Sequence, residues 1–207
     1  MKKCIIVCAG EESGLDMPIN EGDLVIAADA GLKYLEKEGI KPDIIVGDFD
    51  TLEYIPKGEN VIKLNPVKDE TDTFEAIRQG IKRGYKCFYI LCGTGGKTEH
   101  TFANIQLLAY LEENGFRGYL TDKNGILTVI KNRTVCFDAG YKGIVSVFSL
   151  SDKSKGVTIK NLKYSLDNAE LTNSFPLGIS NEFLGKKSSI TVKDGMLLLV
   201  LPEKSLM

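Results

Sequence analysis

The chain has 207 residues, of which 43% are hydrophobic and 26% are charged, so it can bury a core without disulfides. Its formal net charge of −2 gives no support to a nucleic-acid-binding or membrane-surface protein, and we expect neither partner. The five cysteines show no Cys-x-x-Cys spacing, which is typical of a reducing compartment, so we expect a cytoplasmic protein.

The first part of the chain alternates short apolar runs with amphipathic segments, an order that favours an α/β domain with a mostly parallel sheet. Gly39 is expected just after the first helix, and Thr71 is expected to start the second. The predicted strands are residues 4–9, 24–28, 44–46, 61–64 and 88–92. The predicted helices are residues 32–38, 74–83 and 98 to about 113.

After Phe116 the pattern changes to short strands with alternating polarity, which is typical of an antiparallel, sandwich-like β-domain. The dipeptide Asp194-Gly195 predicts a two-residue hairpin near the end of the chain. The predicted strands here are residues 118–120, 126–130, 135–137, 145–148, 157–159 and 190–192. We therefore predict an α/β domain over residues 1–130 and an all-β domain over residues 131–207.

Two carboxylates follow the third predicted strand, in the stretch Gly47-Asp48-Phe49-Asp50-Thr51-Leu52. In an extended chain Asp48 and Asp50 point to the same side, and Phe49 points the other way, toward the core. Two ionised carboxylates about 5 Å apart repel by roughly 3 kcal/mol at an effective dielectric of about 20. A cation, a basic side chain or a shared proton would offset this repulsion, and Mg²⁺ suits carboxylates that act beside phosphates. The alternative is an Asp-rich turn with no ligand.

A second acidic segment, Lys68-Asp69-Glu70-Thr71-Asp72, lies at the expected start of the second helix. Acidic residues at a helix start also serve as caps and as partners of the helix dipole, with no ligand involved. Because this segment leaves a strand at the carboxyl edge of the sheet, Asp72 could join Asp48 and Asp50 on one metal ion. Lys68 could then neutralise a phosphate.

The third cluster is the glycine-rich segment Gly93-Thr94-Gly95-Gly96-Lys97, which precedes the third helix. Glycines allow a ligand to approach the backbone, free N–H groups at a helix start suit an anion, and Lys97 adds a positive charge. The spacing is not that of a Walker A loop, and a glycine-rich turn without a ligand is the alternative. His100 is the only histidine, and too few His and Cys residues accompany it for a usual zinc site. Together the three clusters indicate a metal and polyphosphate site.

The ordered set of motifs is more specific than any one of them. The matching segments are Ala28-Asp29-Ala30-Gly31, Gly47-Asp48-Phe49-Asp50-Thr51, Lys68-Asp69-Glu70-Thr71-Asp72, the block 95–104, and Ser180-Asn181-Glu182. In this order, and over nearly the whole chain, they resemble the thiamine pyrophosphokinase family.

The resemblance implies an α/β catalytic domain, a β-domain that contributes to the thiamine site, and a homodimer with thiamine between the subunits. It implies Mg²⁺-dependent transfer of the pyrophosphoryl group of ATP to the thiamine hydroxyl, with release of AMP. The catalytic and metal-binding residues that it implies are Asp48, Asp50 and Asp72. Residues implied beside the nucleotide are Asp29, Lys68, Thr71, Lys97, Glu99 and His100. Those implied to bind substrate, facing thiamine or the adjoining nucleotide, are Ser180 and Asn181.

The chain also departs from the family pattern. Lys97 and Glu99 stand where the family usually has Arg and Asp, and lysine lacks the planar fork that grips a phosphate twice. Some relatives have a tryptophan in the last strand, whereas this chain has none and has Leu197-Leu198-Leu199 in that region. Two other classes remain open: a metal-dependent hydrolase of nucleotides or phosphoesters, and a non-catalytic module that binds thiamine or nucleotide.

Overall fold

The computed structural model describes residues 2–15, 17–52, 54–65, 67 and 70–202. The chain divides into two compact units: a first unit of Met1–Leu107 with Gly115–Lys123, and a second unit of Leu108–Asn114 with Asn124–Met207. The boundary predicted between residues 130 and 131 falls within a strand of the second unit. Lys68 and Asp69, which were singled out from the sequence, lie outside the described residues.

The first unit is built on a parallel sheet. Its strands are β1 (Cys4–Val7), β2 (Leu24–Ala28), β3 (Ile44–Gly47), β4 (Val61–Lys63), β5 (Cys87–Leu91) and β6 (Arg117–Asp122). They pair in parallel in the order β6-β5-β1-β2-β3-β4. Every residue of β1, β2 and β3 is buried, as their short apolar runs predict for a sheet covered on both faces.

Three helices follow strands of this sheet: α1 (Gly31–Lys37), α2 (Asp72–Lys82) and α3 (Thr98–Glu113), of which α3 belongs to the second unit from Leu108 onward. The predicted helix ends at Gly39 and Thr71 are confirmed. Gly39 has a φ of 67°, and the Thr71 hydroxyl accepts a hydrogen bond from the Phe74 N–H at 3.2 Å. The strand order reverses between β1 and β5, the kind of point where α/β sheets bind ligands at their carboxyl edge.

The second unit is an antiparallel sandwich. Its strands are β7 (Gly125–Lys131), β8 (Thr134–Phe137), β9 (Lys142–Ser149), β10 (Lys153–Lys160), β11 (Leu166–Thr172), β12 (Gly178–Leu184), β13 (Ser188–Thr191) and β14 (Met196–Leu201). Within this unit one sheet has the order β12-β9-β14-β7 and the other has the order β11-β10-β13-β8. Apolar residues from both sheets, including Val147, Leu199, Val157 and Ile190, share one core. The predicted fold class is therefore confirmed for both parts of the chain.

The predicted hairpin at Asp194-Gly195 is wrong. Strand β13 pairs with β8 and β10, whereas β14 pairs with β7 and β9, so this dipeptide carries the chain from one sheet to the other. The Gly195 N–H donates to Asn132 Oδ1 at 2.8 Å, and the Asp194 carbonyl accepts from the Lys155 N–H at 2.7 Å. An Asp-Gly signal specifies a tight turn but not the partner of the next strand.

Strands β11 and β12 were not predicted. Their sequences, LDNAELT and GISNEFL, are rich in polar residues, and most positions of β11 lie at least partly exposed. In the described part of the chain no helix combines the length and the apolar character needed to cross a membrane.

Candidate active site

Three carboxylates converge at the carboxyl edge of the parallel sheet. Asp29 follows β2, and Asp48 and Asp50 follow the neighbouring strand β3. Each offers one oxygen, and these oxygens all lie within 4.8 Å of one another. Asp29 and Asp48 are partly buried, and Asp50 is exposed. The predicted meeting of Asp48 with Asp50 is thus observed, with Asp29 as their third member.

The backbone brings these carboxylates together by a route that the sequence did not indicate. The chain is not extended through residues 48–50, because β3 ends at Gly47 and Phe49 has a left-handed φ of 65°. The Asp50 N–H donates to Asp48 Oδ1 at 3.2 Å, which closes a tight local turn. Asp29 is itself left-handed, with a φ of 48°, and its N–H donates to the Val46 carbonyl of β3 at 2.7 Å.

The cluster fits a hard divalent cation. Asp29 Oδ1 is buried and accepts no hydrogen bond from any described residue. A buried acceptor without a partner is costly, and a bound cation would satisfy it. Three carboxylate oxygens are the donor type that Mg²⁺ and Mn²⁺ prefer.

Asp72 is not a member of this three-carboxylate group. It is the first residue of α2, and the next residue, Thr73, lies with its hydroxyl 3.3 Å from the Cys8 thiol just beyond β1. Burial, with smaller contributions from Cys92 and the Asp72 carboxylate, raises the pKa of the Cys8 thiol to about 12. Asp72 therefore lies at the same edge of the sheet, beyond β1, and its role as a metal ligand stays a prediction. The Thr71 hydroxyl beside it caps α2.

The glycine-rich loop between β5 and α3 is held from two sides. Gly95 and Gly96 are left-handed, with φ of 74° and 62°. The Glu11 N–H donates to the Thr94 carbonyl at 2.8 Å. The buried amide of Asn104, one turn and a half into α3, donates to the Gly93 carbonyl at 2.7 Å. Sequence reasoning included Asn104 only as part of a family block and assigned it no role.

The three side chains predicted beside a nucleotide at the start of α3 are all exposed: Lys97, Glu99 and His100. Glu99 lies in the first turn of the helix. The exposure leaves each of them accessible to a ligand at the loop, and their contacts with one stay predictions.

In the second unit, Ser180 and Asn181 differ in what their side chains do. Ser180 is exposed and left-handed, with a φ of 56°, at a register shift between Gly178 and Asn181 in β12. Asn181 is only 3% exposed, and its amide donates to the Tyr164 carbonyl at 2.6 Å while its oxygen accepts from the Tyr164 N–H at 2.9 Å. Asn181 thereby fixes the backbone of Tyr164, whose ring is exposed.

Exposed apolar side chains are concentrated in and beside β12 and its neighbour β9. The group, each member between 47% and 66% exposed, comprises Ile144, Phe175, Leu177, Ile179 and Leu184. By contrast Leu197 and Leu199, in the region where some relatives have a tryptophan, lie in the sandwich core. A group of exposed apolar side chains is typical of a surface that meets a partner.

Two family models match the chain. One, described as the catalytic domain of thiamin pyrophosphokinase, matches residues 16–120, and the other, described as its vitamin B1 binding domain, matches residues 132–197. A thiamine pyrophosphokinase of Bacillus subtilis (strain 168) is 26% identical over 210 residues, which is 97% of this chain and 98% of that relative.

Solved structures show the same fold. The crystal structure of the Bacillus subtilis thiamine pyrophosphokinase has a TM-score of 0.83 at 24% identity, over 98% of this chain and 100% of that one. Thiamin pyrophosphokinase from Candida albicans has a TM-score of 0.79 at 16% identity, over 97% and 90% of the two chains.

Proposed function

Since the chain belongs to the thiamin pyrophosphokinase family, we propose that it transfers the pyrophosphoryl group of ATP to the hydroxyl of thiamine, giving thiamine diphosphate and AMP. Membership of this family makes the chain an enzyme of thiamine diphosphorylation. The observation that carries the assignment of its site is the convergence of carboxylate oxygens of Asp29, Asp48 and Asp50, together with the unsatisfied Oδ1 of Asp29.

In this proposal Asp48 and Asp50 hold Mg²⁺, as expected from the sequence, and Asp29 is a third ligand. Asp72, at the same edge, is the further ligand of Mg²⁺ and triphosphate that the family resemblance implies. A bound Mg²⁺ supplies positive charge that neutralises phosphate oxygens. The residues of the chain supply the geometry, because transfer of this kind depends mainly on positioning and electrostatics.

The reaction forms one bond and breaks one. The hydroxyl oxygen of thiamine bonds to the β-phosphorus, and the bond from that phosphorus to the oxygen bridging it to the α-phosphorus breaks. AMP leaves with the bridging oxygen, and the hydroxyl proton passes to solvent. Lys97 and the free N–H groups at the start of α3 stabilise the phosphate charge. Lys68, Thr71, Glu99 and His100 are proposed neighbours of the nucleotide.

The second unit supplies the thiamine side of the proposal. Ser180 is accessible for contact with thiamine, and Asn181 contributes by holding the Tyr164 segment in place. The exposed apolar group around Ile144 and Ile179 supports a homodimer, because a second copy of the chain would remove it from water. We place the enzyme in the cytoplasm, in keeping with its free cysteines.

The test is an assay of purified protein with ATP, thiamine and Mg²⁺. We expect thiamine diphosphate and AMP in equal amounts, and no AMP when thiamine is left out. Formation of ADP would reject the pyrophosphoryl transfer. Breakdown of ATP without thiamine would instead favour a metal-dependent hydrolase, and binding without turnover would favour a non-catalytic module.

A further inference from the structure

Phe49 lies between two of the clustered carboxylates and has a backbone conformation that aromatic residues seldom adopt. Its φ of 65° is in the left-handed region, which disfavours bulky side chains. Such a conformation persists only where the surrounding structure holds it in place, and it is found most often at functional sites.

The surroundings of Phe49 provide that hold. Its side chain is 4% exposed and belongs to the core of the first unit. Gly47, two residues earlier, leaves the space that the ring fills: a Cβ added there would lie 3.1 Å from Cε1 of Phe49. The same added Cβ would lie 3.1 Å from the Cα of Asp29. Because Gly47 has no side chain, the ring of Phe49 and the turn at Asp29 can both lie close to its Cα atom.

The turn at Phe49 changes where Asp50 goes. An extended chain would carry Asp50 onward from Asp48 by roughly 7 Å. The left-handed residue instead folds the chain back, so that the Asp50 N–H reaches Asp48 Oδ1 at 3.2 Å. Both carboxylates then lie within 4.8 Å of an Asp29 oxygen.

We propose that Phe49 is a positioning residue for the metal site. Its ring, seated beside Gly47, locks the left-handed turn that presents Asp48 and Asp50 together with Asp29 to one divalent cation. Phe49 makes no contact with the cation itself. The inference deepens the metal site of the proposed function and concerns this chain's affinity for the metal, so it can be measured without turnover.

The experiment measures the Kd of Mn²⁺ from the EPR signal of the free ion, on protein shown to be folded by circular dichroism. Phe49→Gly accepts the left-handed conformation but has no ring, so it tests the ring alone. Gly47→Ala adds the methyl group that would press on both Phe49 and Asp29. We expect each variant to raise the Kd about tenfold or more, because the oxygens then lose their common arrangement.

Two control variants separate positioning from general loss of stability. Phe116→Gly removes an aromatic ring at the amino edge of the parallel sheet, opposite the carboxylates. That ring packs edge-on against the ring of Phe88, with 5.9 Å between the ring centroids. Gly140→Ala adds a methyl group where nothing lies within 4 Å. Both controls should keep the Mn²⁺ Kd within about twofold of the unchanged protein, even where Phe116→Gly lowers the unfolding temperature.

The outcomes are distinct. Unchanged Mn²⁺ affinity in folded Phe49→Gly would overturn the inference, since Phe49 would then be only a core residue. If Phe49→Gly does not fold, unchanged affinity in Gly47→Ala would overturn it in the same way. If the unchanged protein does not bind Mn²⁺, the metal site and the inference both fall. Weakened binding in the two variants, in a protein that does not act on thiamine, would support the inference and reject the proposed function.

Discussion

Replacing Asp29 by asparagine should stabilise the metal-free protein against unfolding but destabilise the metal-bound protein. Oxygens of Asp29 and Asp48 lie within 4.8 Å of each other, and at an effective dielectric of about 20 two unit charges at that distance repel by about 3 kcal/mol. Both side chains are partly exposed, so solvent and salt reduce this to about 1 kcal/mol. Asparagine has the same shape and tolerates the left-handed φ of 48°, so it adds little strain.

We therefore expect the free energy of unfolding of metal-free Asp29→Asn to be about 1 kcal/mol higher than that of the unchanged protein. The difference should be smaller at high salt. With Mn²⁺ present the sign reverses, because one of three anionic ligands is lost and the Kd should rise about tenfold or more. Urea unfolding with and without Mn²⁺ measures both effects. The exposed Asp167 gives a matched control, Asp167→Asn. A metal-free Asp29→Asn less stable than the unchanged protein, with unaltered Mn²⁺ binding, would refute the reasoning.

Four further changes test other parts of the structure. Asp50→Asn should lower kcat at least about 100-fold in the AMP assay while the unfolding temperature stays the same. Asn104→Leu removes the 2.7 Å hydrogen bond to the glycine-rich loop and should raise the KM for ATP about tenfold, with little effect on the KM for thiamine. Burial alone would raise the pKa of the Asp23 carboxyl, but two backbone N–H donors, at 2.8 and 3.0 Å, hold it below its ordinary value. Its stabilisation is complete above the unfolded pKa and is lost as the pH falls through the folded one, so Asp23→Asn should cost about 2 kcal/mol at pH 7 in urea titrations and less near pH 2. Ile144→Lys should convert the proposed dimer to a monomer in light scattering.

Each of these changes has an outcome that contradicts it. A near-normal rate in Asp50→Asn would remove Asp50 from the metal site, and equal changes in both KM values would make Asn104 a general structural residue. Asn114→Leu is the matched control for Asn104→Leu. It removes a 2.8 Å hydrogen bond from a side-chain amide to a backbone carbonyl at the other end of α3. An equal loss at both pH values in Asp23→Asn would exclude its carboxylate as the cause. An unaltered mass for Ile144→Lys would place any interface elsewhere.

The sequence was sufficient for the sheet architecture because buried parallel strands are continuous apolar runs with glycines at their ends. The sequence also predicted that Asp48 and Asp50 lie together, but on an extended chain that the structure does not have. The left-handed conformation at Phe49 depends on the missing side chain of Gly47, and Asp29 lies beside Gly47 only once β2 and β3 are paired. A sequence pattern of period two carries no sign of it.

The position of Asp29 is a second feature that the sequence did not reveal. The resemblance placed it near a nucleotide, while its unsatisfied Oδ1 and its neighbours Asp48 and Asp50 became apparent only from coordinates. Strands β11 and β12 are a third such feature, because they carry many polar residues, and β11 lacks the alternating burial that β9 has. Their strand character comes from pairing with β10 and β9.

The register shift in β12 has a consequence for how the second unit avoids aggregation. Strand β12 lies at the edge of its sheet within this unit, and an irregular edge is a poor template for a strand of another molecule. Deleting Ser180 would remove the extra residue and leave a regular strand, in which Asn181 and Phe183 still face inward but the edge is straight and open to pairing. The one extra residue therefore protects this edge against pairing with a strand of another molecule.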